Sequence, residues 1–323
     1  MKSDHPWRER GAALLAAMLT VTLVATLAAG ALWQQWRGVE VESAERTRVQ
    51  AAWILTGALD WSRLILREDG RSGGADYLSE PWAIPLQEAR LSTFLAADQD
   101  HNAGDDGDAA QNTFLSGRIT DQQGRLNVQN LINSGRLSPS DHQAFVKLFR
   151  LLGLPAAQLT ALEQNLLASV RGADGNAPLP PLHLDQLINL GLSPATLAPL
   201  KPFIALLPAR TPVNLNTAPA EVLYACIPGL DMAGAQQLIS ARALNYFRTY
   251  TDAGKVLGGE LASQLNADAH AASSGYFEVL GRLRLDDKVI EERSLVHRVG
   301  VDVKTLWRER GSFSVSTTFQ PPT

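Results

Sequence analysis

The chain has 323 residues, of which 45% are apolar and 19% charged. That supports one large core or two small ones and excludes wholesale disorder, collagen-like repetition and a polytopic membrane protein. A net charge of −4 gives no global basic balance toward nucleic acid or anionic lipid, and the single cysteine, Cys226, can close no intrachain disulfide and build no Cys-rich zinc site.

Met1 to Gly11 is short and polar, with Lys2, Arg8 and Arg10 set against Asp4 and Glu9. Ala12 to Leu32 follows, 21 residues without a charge, roughly 30 Å of helix and so the depth of a bilayer core. Trp33 and Trp36 close the run at an interface-like position, before Arg37. Three readings compete. A cleaved secretory signal would use the small residues Ala28, Ala29, Gly30 and Ala31, although the apolar run exceeds the usual ~7–15 residues of a signal core. The second is a plain single-pass anchor. The third is a leader cut ahead of the span: Arg8-Glu9-Arg10-Gly11-Ala12-Ala13-Leu14-Leu15 resembles a prepilin peptidase site, which is cut after the glycine, between Gly11 and Ala12. Most pilins and pseudopilins carry Glu at the fifth position after that cut; here it is Ala16. A carboxylate in lipid costs about 2–3 kcal/mol or more unless paired. A subunit at a filament tip has neighbours on one side only and could dispense with it.

Val39 to Leu66 continues as a helix, with a stripe through Trp36, Val39, Ser43, Thr47, Gln50/Ala51, Ile54/Leu55, Leu59 and Ile65/Leu66 near the 3.6 period. No proline interrupts Ala12 to Leu66, although Gly38 allows a bend. Asp69 to Gly74 breaks the pattern. It contains a formal G-x-S-x-G run, Gly70-Arg71-Ser72-Gly73-Gly74, but a nucleophile elbow needs a strand before it and here a helix precedes. Phe114 to Asp121 reads as a strand ending at the turn Asp121-Gln122-Gln123-Gly124. Leu126 to Leu207 reads as several short helices, with Ser138-Pro139 and Ser193-Pro194 as starts and Ala177 to Pro181 as a proline-rich connector. Pro212 to Tyr250 is helical again. Tyr276 onward changes to a period of two, turns at Asp286-Asp287-Lys288 and returns over Val289 to Val299. The order predicts an α+β head carrying an all-helical insertion.

Four segments together resemble the K-type minor pseudopilin of the type II (general secretion pathway) system: the leader and span, Glu80-Pro81-Trp82-Ala83, Gly117 to Val128, and Pro212 to Leu223. The resemblance runs in order over nearly the whole chain. It implies a pilin-like fold with a long N-terminal helix, a small antiparallel sheet and an inserted helical domain. The corresponding divisions are a leader over 1–11, the helix over 12–68, the first part of the head over 69–125, the insertion over 126–265 and the C-terminal strands over 266–323. It implies a non-enzymatic subunit that caps the pseudopilus with the I- and J-type minor pseudopilins, initiates its assembly, and supports export of folded proteins through an outer-membrane secretin. Further implied partners are the shaft subunits, the prepilin peptidase, which would cut at Gly11/Ala12 to give a methylated amino end, and the inner-membrane assembly platform. The location implied is a single-pass inner-membrane protein with a periplasmic head.

Asn214 to Arg242 also looks like a helix-hairpin-helix, with Ile227-Pro228-Gly229-Leu230 as its hairpin. Membrane-anchored DNA-uptake receptors use that module, so such a receptor is the rival reading. Against it, the second hairpin glycine of DNA-binding versions is replaced by Asp231, and Arg242 and Arg248 are balanced by Glu221 and Asp231. Cys226 lies among Leu223, Tyr224, Ala225 and Ile227 and reads as a small packed side chain. The six histidines have no zinc-like spacing. One metal candidate remains. Asp98, Asp100, Asn102, Asp105, Asp106 and Asp108 put five aspartates and one asparagine in eleven residues, opening as D-x-D-x-N like a calcium loop. Ala103 and Ala109 stand where an EF-hand has Gly and Glu, so a solvated acidic loop is the alternative. K-type relatives bind calcium in acidic loops, but the one expected within the insertion is replaced here by Gly172 to Pro181.

Overall fold

The computed structural model describes residues 7–96, 113–172, 177–285 and 288–311. Two compact units are present, residues 1–56 and 57–323, and each is taken by itself.

One helix, α1 (Trp7–Ser72), supplies the described part of the first unit and enters the second. It passes through Gly38 as continuous helix. From Ala12 its apolar stretch is long and apolar enough to cross a membrane, with a mean hydropathy of 2.2. The hydroxyls of Thr20, Thr22 and Thr26 donate back to the carbonyls of Ala17, Met18 and Leu23. Each thus satisfies its donor inside the helix, the condition a lipid environment imposes.

The second unit is built on one antiparallel sheet. Its strands are β1 (Leu86–Arg90), β2 (Thr113–Asp121), β3 (Tyr276–Leu285), β4 (Lys288–Val299) and β5 (Asp302–Gly311), which lie side by side in sequence order. A short helix, α2 (Leu91–Ala96), follows β1. Alternation sets the faces. Leu115 and Ile119 of β2, Phe277, Val279 and Leu283 of β3 and Val296 of β4 are buried, while their neighbours in the chain are more exposed or point to the other face. Leu59 and Leu66, two helical turns apart on α1, meet Trp82, Ile119, Phe277, Val279, Val296 and Val303 in the core beneath the sheet. On β4, buried Glu292 is gripped at each oxygen by a β5 arginine: Arg308 at Oε1, with a shortest bond of 2.6 Å, and Arg310 at Oε2. The edge strand is therefore tied by charge as well as by its ladder.

Between β2 and β3 the chain leaves the sheet and builds a helical block. Its larger helices are α3 (Pro139–Leu151), α4 (Ala156–Arg171), α5 (Pro194–Leu200), α6 (Ala220–Cys226), α7 (Met232–Leu244) and α8 (Tyr250–Leu257), with a short α9 (Gly259–Ser263). The block has its own core. Phe145, Leu148 and Phe149 of α3 and Leu159, Leu162 and Leu166 of α4 pack with Leu187, Leu190, Leu197, Leu223 and Leu238. The spacings i, i+3, i+4 and i, i+3, i+7 are those of a single helix face. Two parallel pairings interrupt the helices, Leu126–Asn127 with Ile204–Ala205 and Val213–Asn214 with His270–Ala271. Ser193 accepts from Thr196 N, the N-cap bond expected there. Ser138 behaves differently: its hydroxyl donates to Asp141 Oδ2.

Candidate functional site

Both ends of the helical block return to one place, the end of β2. There Asp121 is fully enclosed and collects four donors. Its Oδ2 accepts from Asn214 Nδ2 at 3.0 Å, Thr217 Oγ1 at 2.6 Å and Ser274 Oγ at 2.6 Å, and its Oδ1 accepts from Gln123 N at 2.7 Å. Asn214, also fully buried, donates to Asp76 O and Ser274 Oγ as well. Its Oδ1 accepts from Asn216 N, capping the local turn. Asn216 reaches onward, pairing with the N–H and carbonyl of Phe247. Gln123 spans the two ends of the block, donating to Pro212 O and accepting from Gly275 N. Gly124 lies so near Thr217 that a Cβ would sit 2.8 Å from its Oγ1. A side chain there would force the two segments apart.

The knot continues to α1. Arg298 of β4 pairs with Asp69 and Asp76 and donates to Ser274 O. Asp76 Oδ2 accepts from Ser274 N at 2.7 Å. Gly70 abuts the β4–β5 turn, and a Cβ there would collide with Gly300 O. Glu80 Oε2 accepts from Tyr77 N and from Trp82 Nε1, each at 2.8 Å, and Trp82 meets Phe277 edge-on at 5.1 Å. This explains Glu80-Pro81-Trp82: the carboxylate fixes the indole that plugs the core. Three of the segments singled out in the sequence thus converge on one polar junction.

Its electrostatics are acidic. The carboxylate oxygens of Asp69, Asp76 and Glu80 lie within 4.8 Å of one another, and Arg298 is the cation that two of them bind. Burial pushes Asp76 up to about 6 against the pull of Arg298. Burial likewise raises Glu80 to about 7 and raises Asp121, while the bonds from Ser274, Thr217, Gln123 and Asn214 oppose the latter rise. The arrangement fastens elements together.

The hairpin module forms as the sequence predicts, with α6 and α7 joined at Ile227-Pro228-Gly229-Leu230. Gly229 has φ +75°, and a Cβ there would meet Leu261 of α9 at 3.3 Å. Asp231 caps α7 through Gly234 N at 2.7 Å. Lys147 donates to Ile227 O and Leu230 O, and Arg242 to Leu215 O and Ala218 O. The hairpin is thus packed by Leu261, and these cations bind carbonyls of the module itself. Cys226 is half-buried and its thiol is pushed up to about 12 by desolvation. Ser72 ends α1 and donates to Asp69 O.

Gly11 and Ala12 both lie within α1. Asp98, Asp100, Asn102, Asp105, Asp106 and Asp108 lie outside the described residues. The sequence reading did not single out Asp69, Asp76, Ser274 or Arg298. Their partners lie up to 229 positions away in the chain, and no local pattern marks them.

Residues 213–273, which run from Asn214's strand to the edge of Ser274, match the family model for type II secretion system protein K. Proteins called type II secretion system protein K are similar along most of the chain. The one from Pseudomonas aeruginosa is 28% identical over 307 residues, spanning 87% of this chain and 86% of its own. The one from Pectobacterium carotovorum subsp. carotovorum is 24% identical over 342 residues, spanning 95% and 98%. The likeness to type II secretion system protein K thus runs along most of the chain. The fold agrees: GspK-GspI-GspJ from the enterotoxigenic Escherichia coli type II secretion system contains a chain of the same architecture, with a TM-score of 0.60 at 18% identity, covering 83% of this chain and 98% of that one. The chain carries an N-terminal apolar helix of membrane-spanning length and composition. The region matched by the family model supplies two sides of the Asp121 junction, through Asn214 and Thr217.

Proposed function

We propose that this chain is the tip subunit of a type II secretion pseudopilus, a non-enzymatic component that initiates the filament with I- and J-type minor pseudopilins. In this reading it enters the inner membrane as a prepilin, is cut between Gly11 and Ala12 and methylated at the new end, and presents its head to the periplasm. The shaft subunits and the assembly platform then act on it to support export. The observation that carries the reading is the block spliced between β2 and β3, residues 122–275, which more than doubles the bulk of the sheet domain. A helical array of shaft subunits has no room for such a head, whereas a tip leaves one side open. Ala16 in place of a carboxylate agrees, since a tip subunit has no neighbour above it to neutralise. Asp98 to Asp108 are proposed to bind calcium in the same head.

Co-expression of the full chain with I- and J-type minor pseudopilins tests this. A stoichiometric detergent-extracted complex of the three, present once per filament, is expected. Elution alone, or incorporation along the shaft, would contradict the tip assignment.

A further inference from the structure

We draw no further inference here: the strongest candidate, the cluster of Asp69, Asp76 and Glu80 around the polar cavity where α1 meets the β4–β5 turn, belongs to the junction already described, with Arg298 bound to two of its carboxylates and nothing among the described residues pointing to a ligand.

Discussion

Replacing Asp121 by alanine should loosen the junction between the sheet and the helical block more than any other single change there. Four donors reach its carboxylate at 2.6–3.0 Å, and a hydrogen bond to a buried charge contributes about 1.5–3 kcal/mol. The four losses do not add. Asn214 keeps Asp76 O and Ser274 Oγ, and the Thr217 hydroxyl can turn to Asn214 O, 3.5 Å away. Removing the carboxylate also relieves the desolvation that raises its pKa. Gln123 N is left without its acceptor. The net destabilisation expected is about 3–4 kcal/mol. Asp121→Asn keeps one acceptor oxygen, and its new amide can donate to hydroxyls that rotate to accept, so about 1–2 kcal/mol is expected. Urea unfolding followed by circular dichroism measures both, and a double-mutant cycle with Ser274→Ala should show a coupling of about 1 kcal/mol. Because α3 and α4 pack in a separate core, their amide protection should persist while Gln122–Gly124 and Ser274–Gly275 exchange faster. An Asp121→Ala loss below about 1 kcal/mol, or strict additivity with Ser274→Ala, would refute the reasoning.

Gly70→Ala drives a methyl group against Gly300 O, and a loss of at least about 2 kcal/mol is expected in thermal melts; an unchanged melting temperature would show that the β4–β5 turn yields freely. Glu80 is raised from its ordinary 4.5 to about 7 by burial, so the folded state holds that proton more tightly than the unfolded one. Its contribution is fully present below about pH 4.5 and is lost as pH rises through about 7. Glu80→Gln, which keeps acceptors for Tyr77 N and Trp82 Nε1, should flatten the fall in melting temperature between mildly acidic and mildly alkaline buffer, and an undiminished slope would contradict the assignment. His270 acts in the opposite sense. It is buried, with Nδ1 accepting from Asn266 N and a lowered pKa caused by desolvation, so stability should drop as pH falls below its ordinary 6.5. His270→Gln should remove that drop. If Asp98 to Asp108 hold calcium, adding it should raise the melting temperature, and Asp100→Ala with Asp106→Ala should abolish the gain; no gain in the parent chain would dispose of the site.

Local pattern carried the architecture a long way. The uncharged run from Ala12 is legible because nothing but a membrane or a filament core rewards 21 such residues in a row. The strand expected over Phe114–Asp121 is β2, Thr113–Asp121, and the returning strand expected from Val289 is β4. Two other strands escaped the reading for identifiable reasons. β1 reads Leu-Gln-Glu-Ala-Arg and buries no residue, so it shows no alternation. In β5 an irregularity opposite Leu295/Val296 inserts one residue, and the apolar positions Val303 and Trp307 fall on opposite faces although four apart. Asn127 and Asn214 each accept from the N–H two residues on, a local turn-forming role. Their larger role was not legible. Asn214 meets Asp121 across 93 positions and Ser274 across 60, and Asn130 clasps Thr211 across 81, pairings that exist only once the helical block has closed on itself.

The chemical state of the mature amino end tests the account most directly. Sequencing of the protein extracted from membranes should begin at Ala12, with the apolar helix retained behind it. A start at Met1 would make the chain a simple anchored protein, and a start near residue 32 would make it a secreted domain with no helix to place in a filament.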